Sequence, residues 1–442
     1  MRSKQNLVIV GGGSTYTLGI IMSLVAEKAN FPLRKIVFYD NDKQRQEKIA
    51  KASEIILKEN YPELETFTYT TNKQEAFTDI DVAFIQIRTG GLRMREQDEE
   101  IPVRHGVVGQ ETCGAGGMAY GMRSITDMVA LIQDIRSYSK DAWILNYTNP
   151  AAIVADALNR EFKADERILN ICDMPIAIMH SYASMLHKDV WELVPEYFGL
   201  NHFGWFTRIY DKEGNDLTDT IKNKILEEGF IPKDKEIAHD ESWKQTFKQA
   251  RQMLIDFPEY LPNTYLQYYL YPDDLAKKEE IGNTRARQVI NGREKRVHEQ
   301  CDQIINAKTA AMIDIESDIH GVYMIRAAAS LVYHLQETYI VIVENNGIIS
   351  NIPNDAMVEV PASLTKHGPK PYVVGEIPRF YKGLIENQLA YEKLVVDAFY
   401  ENSYTKALQA LTLNRTIVHA PTAKAILNDL IKANQGYWPA LK

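Results

Sequence analysis

Short apolar runs alternate with longer segments of mixed polarity through the first part of the chain. Asn6-Leu-Val-Ile-Val10 is unbroken and β-rich, the pattern of a strand buried on both faces. It leads through Gly11-Gly12-Gly13-Ser14-Thr15 into an apolar-periodic helix over 18–29, and a second run at 35–39 ends in Asp40. Helical patterns follow near 46–60 and 118–137, with further β-rich runs at 66–70, 82–87 and 143–146. The series closes on Arg167-Ile-Leu-Asn-Ile-Cys172-Asp173-Met174-Pro175. Pro175 has no N–H for a sheet and biases Met174 away from helical angles, so the strand stops here and a helix starts. Strands alternating with helices predict an α/β fold with a doubly wound parallel sheet. Ligands of such sheets bind beyond the carboxyl ends of the strands, where Cys172 and Asp173 stand.

Near residue 195 the pattern changes. Tyr197-Phe-Gly-Leu-Asn-His202-Phe-Gly-Trp205 is dense in aromatics, and Leu261-Pro-Asn-Thr-Tyr265-Leu-Gln-Tyr268-Tyr269 is rich in tyrosine. Two β-rich runs, 205–210 and 339–343, predict a second, mixed sheet, 358–361 reads as another strand, and charged helices are expected over 222–254. Residues 380–432 read as helical. The expected organisation is an N-terminal Rossmann-like domain, 1–195, and a C-terminal α+β domain with a mixed sheet, 196–442.

Several stretches carry chemistry. Gly11 and Gly13 match two positions of a dinucleotide-binding G-x-G-x-x-G loop, and Tyr16 occupies the third. Glycines between a strand and a helix admit a pyrophosphate to the helix N-terminus, and Asp40 after the second strand suits the ribose hydroxyls of NAD. A glycine turn with a helix-capping Asp40 in another α/β fold is the competing reading. Arg88, Arg93 and Arg95 form a basic cluster after a strand, and a glycine-rich loop at 109–117 holds Glu111 and Cys113. Asn149-Pro150 resembles the pair beside the nicotinamide in lactate and malate dehydrogenases, with a helix cap as the alternative for Asn149. Cys172 by itself reads as a core thiol, since free cysteine is among the most buried residue types.

Composition narrows the partners. Fifty basic against 59 acidic residues give a net charge of −9, which argues against nucleic acid or an anionic membrane. An anionic small substrate would need a local arginine cluster. Three widely spaced cysteines do not make a disulfide framework, and no apolar run has transmembrane length or the form of a cleaved leader. The expectation is a cytoplasmic protein.

Taken together, Gly11-Gly-Gly-Ser-Thr15, Tyr39-Asp-Asn-Asp42, Val107-Val-Gly-Gln-Glu-Thr-Cys-Gly114, Asn149-Pro-Ala-Ala152, Cys172-Asp-Met-Pro175, Gly199-Leu-Asn-His-Phe-Gly-Trp205 and Asn346-Gly347 resemble glycoside hydrolase family 4. Its members are exceptions to two-carboxylate glycoside hydrolysis. Ala115 departs from a proline common in similar members. The resemblance implies NAD held by Gly11, Gly12, Gly13, Ser14, Thr15 and Asp40, and a divalent metal, usually Mn²⁺, held by Cys172 and His202. It implies oxidation at sugar carbon 3, abstraction of the carbon 2 proton by Tyr265 with Glu111 raising its basicity, and elimination with Asp173 as acid. Water addition and re-reduction complete the cycle. Arg95, Asn149 and Arg285 are implied as substrate ligands, with Arg88 and Arg93 as further candidates for a phosphate.

Asp173 after Cys172 resembles members acting on 6-phospho-α-glucosides such as maltose 6′-phosphate, whereas Asn accompanies phospho-β-glucosidases and His α-galactosidases. The family implies a homodimer or homotetramer. Competing functions are a phospho-β-glucosidase or α-galactosidase of the same family, a dehydrogenase releasing NADH, and a non-catalytic NAD-responsive binding protein.

Overall fold

The computed structural model describes residues 2–163, 165–229, 241–313, 315, 317 and 319–442, with backbone alone at 241–246. Strands β1 (Gln5–Val10), β2 (Leu33–Tyr39), β3 (Thr66–Thr70), β4 (Val82–Ile85), β5 (Trp143–Asn146) and β6 (Ile168–Asn170) pair in parallel in the order β3-β2-β1-β4-β5-β6. The apolar run of β1 is buried throughout, because helices cover both faces of the sheet. The helix Lys43–Asn60 is capped by Asp42, whose side chain accepts from the N–H groups of Gln44 and Arg45. Asp40 is therefore not the helix cap.

After residue 190 come β7 (Leu193–Leu200), β8 (Phe203–Asp211) and β9 (Leu261–Pro262), which form a separate antiparallel sheet in the order β7-β8-β9. Strands β10 (Thr338–Glu344), β11 (Met357–Thr365) and β12 (Gly368–Pro371) do not join it. They extend the first sheet past β6 in antiparallel fashion, giving nine strands. The expected partnership of 205–210 with 339–343 in one mixed sheet is thus corrected: the large sheet is the mixed one. The reason is edge protection. Strand β6 has only three residues, and β10 covers its open side with Ile342 opposite Asn170. A β-rich run shows that a strand forms but not which edge it will cover.

The helices Arg379–Glu401, Tyr404–Leu413 and Ala420–Ala433 pack on the helix Gly114–Tyr138 around Met118, Met122, Val395, Leu411 and Leu427. Among the described residues no helix is long and apolar enough to cross a membrane. Residue 195 falls inside β7, and the large sheet draws strands from both sides of it.

Candidate active site

The segments following β1, β4, β5 and β6 line one cleft of about 760 Å³. At one end is the glycine loop. Gly11 adopts φ +89°, and both Gly11 and Gly12 N–H groups donate to the Tyr39 carbonyl. A Cβ on Gly11 would come 2.5 Å from the Gln86 carbonyl oxygen, and one on Gly12 would come 2.6 Å from Phe38 Cβ. Only glycine fits this cradle. The Asp40 carboxylate accepts from Gly13 N–H at 2.9 Å and from Asp42 N–H at 3.0 Å, which holds it at the end of β2. The helix Thr17–Ala26 follows the loop without a side-chain cap, its Thr17 N–H donating to the Ser14 carbonyl, and a helix N-terminus in this place favours an anion. Tyr16 is tolerated at the third glycine position because its φ is −83° and its ring turns outward, where Arg293 lies 4.7 Å over it. Ser14, Thr15 and Asp40 line the cleft, so the residues present fit a dinucleotide.

At the other end, five chain segments meet. Cys172 lies two residues past the end of β6, with its Sγ 3.3 Å from His202 Nε2. His202 is the second residue of the two-residue turn between β7 and β8 and has φ +61°. Its Nδ1 lies 3.2 Å from Thr112 Oγ1, which orients the ring so that Nε2 faces the thiol. Tyr265, in the 3₁₀ turn Thr264–Leu266, stacks on the imidazole with ring centres 4.1 Å apart. Asp173 Oδ1 is 3.6 Å from the thiol, and Oδ2 is 2.9 Å from His320 Nδ1 on the helix Ile319–Tyr333.

Burial pushes His202 down to about 4, so its imidazole is neutral, the form that ligates metals. Burial pushes the Cys172 thiol well up, with the Asp173 charge adding to it, so metal binding there would have to displace the thiol proton. The Tyr265 phenol is also pushed well up, by burial first and then by Tyr268 and Glu111. Burial raises Asp173 as well, but His320 and a hydrogen bond from Tyr147 outweigh it and hold the carboxyl below its usual range. Among the described residues no group of three or more His, Cys, Asp and Glu side chains is set to hold a metal. A cation here would have Cys172 and His202 as donors, with positions left open for oxygens in the cleft. The donor set fits a divalent metal of modest affinity.

Between the two ends runs a chain of alternating charges. Glu111 pairs with Arg88 and, at 3.2 Å, with Arg95 Nη2; Arg95 Nε donates to Glu99 at 2.7 Å. Glu99 in turn accepts from Ala286 N–H at 2.7 Å, anchoring the helix Arg285–Val289. Burial would raise Glu111, but the two arginines outweigh it and keep it ionised. Arg285 lines the cleft, whereas Arg93 is exposed and lies off it. Asn149 lines the cleft with its Oδ1 buried and no donor to it among the described residues, which marks a place for a ligand hydroxyl or amide. Of the residues singled out from sequence, Gly12 packs against Phe38 and Gly13 against Arg45, Cys172 is buried beside His202, Cys113 is buried off the cleft, Arg93 is exposed off it, and the others line it. Thr112 and His320 were missed. A lone threonine and a lone histidine carry no spacing signal, and only the fold brings them to His202 and Asp173.

Residues 6–188 match the family 4 glycosyl hydrolase model and residues 197–417 match the C-terminal domain of the same family. The chain belongs to glycosyl hydrolase family 4. Among family 4 relatives, the phospho-alpha-glucosidase PagL of Clostridium acetobutylicum is 51% identical over 442 residues, covering 99% of both chains. A crystal structure of a 6-phospho-alpha-glucosidase from gut microorganisms, in complex with NAD and Mn²⁺, superposes with a TM-score of 0.97 at 50% identity over all of both chains. A second, in complex with NAD and glucose-6-phosphate, gives 0.96 at 45% identity, again over all of both chains. A lactate dehydrogenase from a deep-sea metagenome shares the fold at a TM-score of 0.53 and 14% identity, covering 90% of this chain and 99% of its own. The family 4 assignment thus covers both sheets of the molecule.

Proposed function

We propose that this family 4 enzyme hydrolyses 6-phospho-α-glucosides such as maltose 6′-phosphate to glucose 6-phosphate and the released aglycone. The observation that carries the reading is the meeting of Cys172, His202, Asp173 and Tyr265 at one end of a cleft whose other end is the glycine cradle. The α-phosphoglucosidase names of relatives near 50% identity support the substrate class.

Gly11, Gly12, Gly13, Ser14, Thr15 and Asp40 hold the dinucleotide, and Cys172 with His202 holds the metal. NAD supplies reversible oxidation at sugar carbon 3, and a divalent metal such as Mn²⁺ supplies Lewis-acid polarisation of the sugar oxygens. Tyr265 takes the proton from carbon 2; its phenol, pushed up by burial, becomes a strong base once positive charge beside the imidazole lets it ionise. Glu111 adds negative charge near the phenol and strengthens it as a base. Asp173 delivers a proton to the departing glycosidic oxygen. The ion pair favours the ionised carboxylate, so His320 is the group placed to hold that proton until the oxygen develops charge. Arg95 and Arg285 bind the sugar phosphate region, and Asn149 Oδ1 accepts from the substrate.

The test is a panel of 4-nitrophenyl α- and β-glucosides with and without the 6-phosphate, assayed with NAD⁺ and Mn²⁺ and with each omitted. Hydrolysis of the α-6-phosphate alone, lost on either omission and without NADH accumulating, is expected. Activity confined to unphosphorylated or β substrates, or stoichiometric NADH, overturns the reading.

A further inference from the structure

Glu359 is the third residue of β11 and is 1% exposed. Its two oxygens lead in different directions. Oε1 accepts from Asn201 Nδ2 at 3.0 Å, and Asn201 is the turn residue beside His202. Oε2 accepts from the Tyr197 hydroxyl at 3.0 Å; that hydroxyl accepts from Asn263 Nδ2 at 3.2 Å, and Asn263 Oδ1 accepts from the Tyr265 N–H at 3.0 Å. One carboxylate on the large sheet therefore ties both the β7–β8 turn and the 3₁₀ turn of Tyr265. Neither His202 nor Tyr265 lies within a strand, and His202 holds a left-handed backbone that few side chains favour. Their ring stacking depends on ties from outside.

Stability does not account for Glu359. Among the described residues no cation pairs with it, and burial pushes its carboxyl up to about 7. Replacing a whole buried polar network by apolar residues of similar volume is commonly as stable or more so, whereas losing Glu359 alone would leave Asn201 and Tyr197 unpaired. We infer that Glu359 is a positioning residue that sets the His202 imidazole against the Tyr265 phenol, with Asn201 and the Tyr197–Asn263 pair as its two arms. The inference rests on His202 as a metal donor and Tyr265 as the base.

Cutting the arms separately tests it. Mn²⁺ binding is titrated by electron paramagnetic resonance of the free ion, and turnover is measured with substrate carrying hydrogen or deuterium at carbon 2. Asn201→Ala is expected to weaken Mn²⁺ binding about tenfold, the scale of an outer-shell partner, with the isotope effect unchanged at saturating Mn²⁺. Tyr197→Phe is expected to leave Mn²⁺ affinity within about twofold, lower kcat about tenfold and enlarge the isotope effect, as a misplaced base requires. Glu359→Gln should show both changes. Equal effects of the two single-arm variants on both readouts, or a fall in Tm with neither readout moving, overturns the inference. A parent enzyme that binds no Mn²⁺ overturns the functional reading and the inference together; a normal parent with unsplit variants overturns the inference alone.

Discussion

Around the glycine loop the groups that face the cleft are mostly backbone, whereas around Cys172 they are side chains. The first end needs three glycines, a carbonyl and the start of a helix, all within one strand–loop–helix stretch. The second draws Thr112, Cys172, Asp173, His202, Tyr265 and His320 from five separate parts of the chain, each held by a side-chain partner. A backbone-built site has little to titrate and little to misplace. A side-chain-built site can tune protonation, at the cost of depending on many buried polar contacts.

The largest expected effect separates the two ends. Cys172→Ala should lower turnover by at least about 1,000-fold, the scale of losing several kcal/mol of transition-state charge stabilisation, while NAD⁺ affinity measured by protein fluorescence stays unchanged. Loss of NAD⁺ binding in that variant would erase the division. Gly11→Ala is the converse. Its Cβ meets the Gln86 carbonyl at φ +89°, so NAD⁺ binding should weaken and stability fall by about 1–3 kcal/mol, with Mn²⁺ titration unaffected.

A smaller effect lies within the side-chain end. His320→Gln should slow turnover about tenfold on alkyl 6-phospho-α-glucosides, whose leaving groups need a proton, and hardly at all on 4-nitrophenyl substrates. Equal slowing of both would remove His320 from proton delivery. The smallest effect is on pH. The Glu279 carboxyl accepts from Gly109 N–H and is pushed up to about 7 by burial, with Glu99 adding to it. Its folded pKa lies above its unfolded value near ~4.3, so folding takes up a proton between the two. Its stabilising contribution is full below ~4.3 and is lost as pH rises through about 7. Glu279→Gln should therefore flatten the decline of Tm between pH 5 and pH 8, whereas Gly11→Ala should leave that slope as it is; an unchanged slope in Glu279→Gln would show that the group does not titrate with folding.

Legibility from sequence follows the same division. Strands β1 to β6 and the glycine loop were readable because their signals are local: an apolar run, a turn residue, an acid at a strand end. The pattern placed Cys172 and Asp173 at a strand end, but the roles of Cys172, Asp173, His202 and Tyr265 came through resemblance to the family and not through spacing, since they converge only after folding. The ties of Thr112, His320 and Glu359 were invisible, because a buried partner is defined by what lies across from it. The placement of β10 beside β6 failed for that reason also.

That placement matters beyond topology. With β10 sealed against β6, the strand that delivers Cys172 and the strand that follows residue 330 belong to one slab, and the cofactor loop springs from the same slab at β1. In the proposed cycle the dinucleotide ends each turnover oxidised as it began, so the chemistry never calls for its exchange. A single floor under both ends suits an enzyme that keeps its oxidant as a resident fitting and trades only sugars with the solvent.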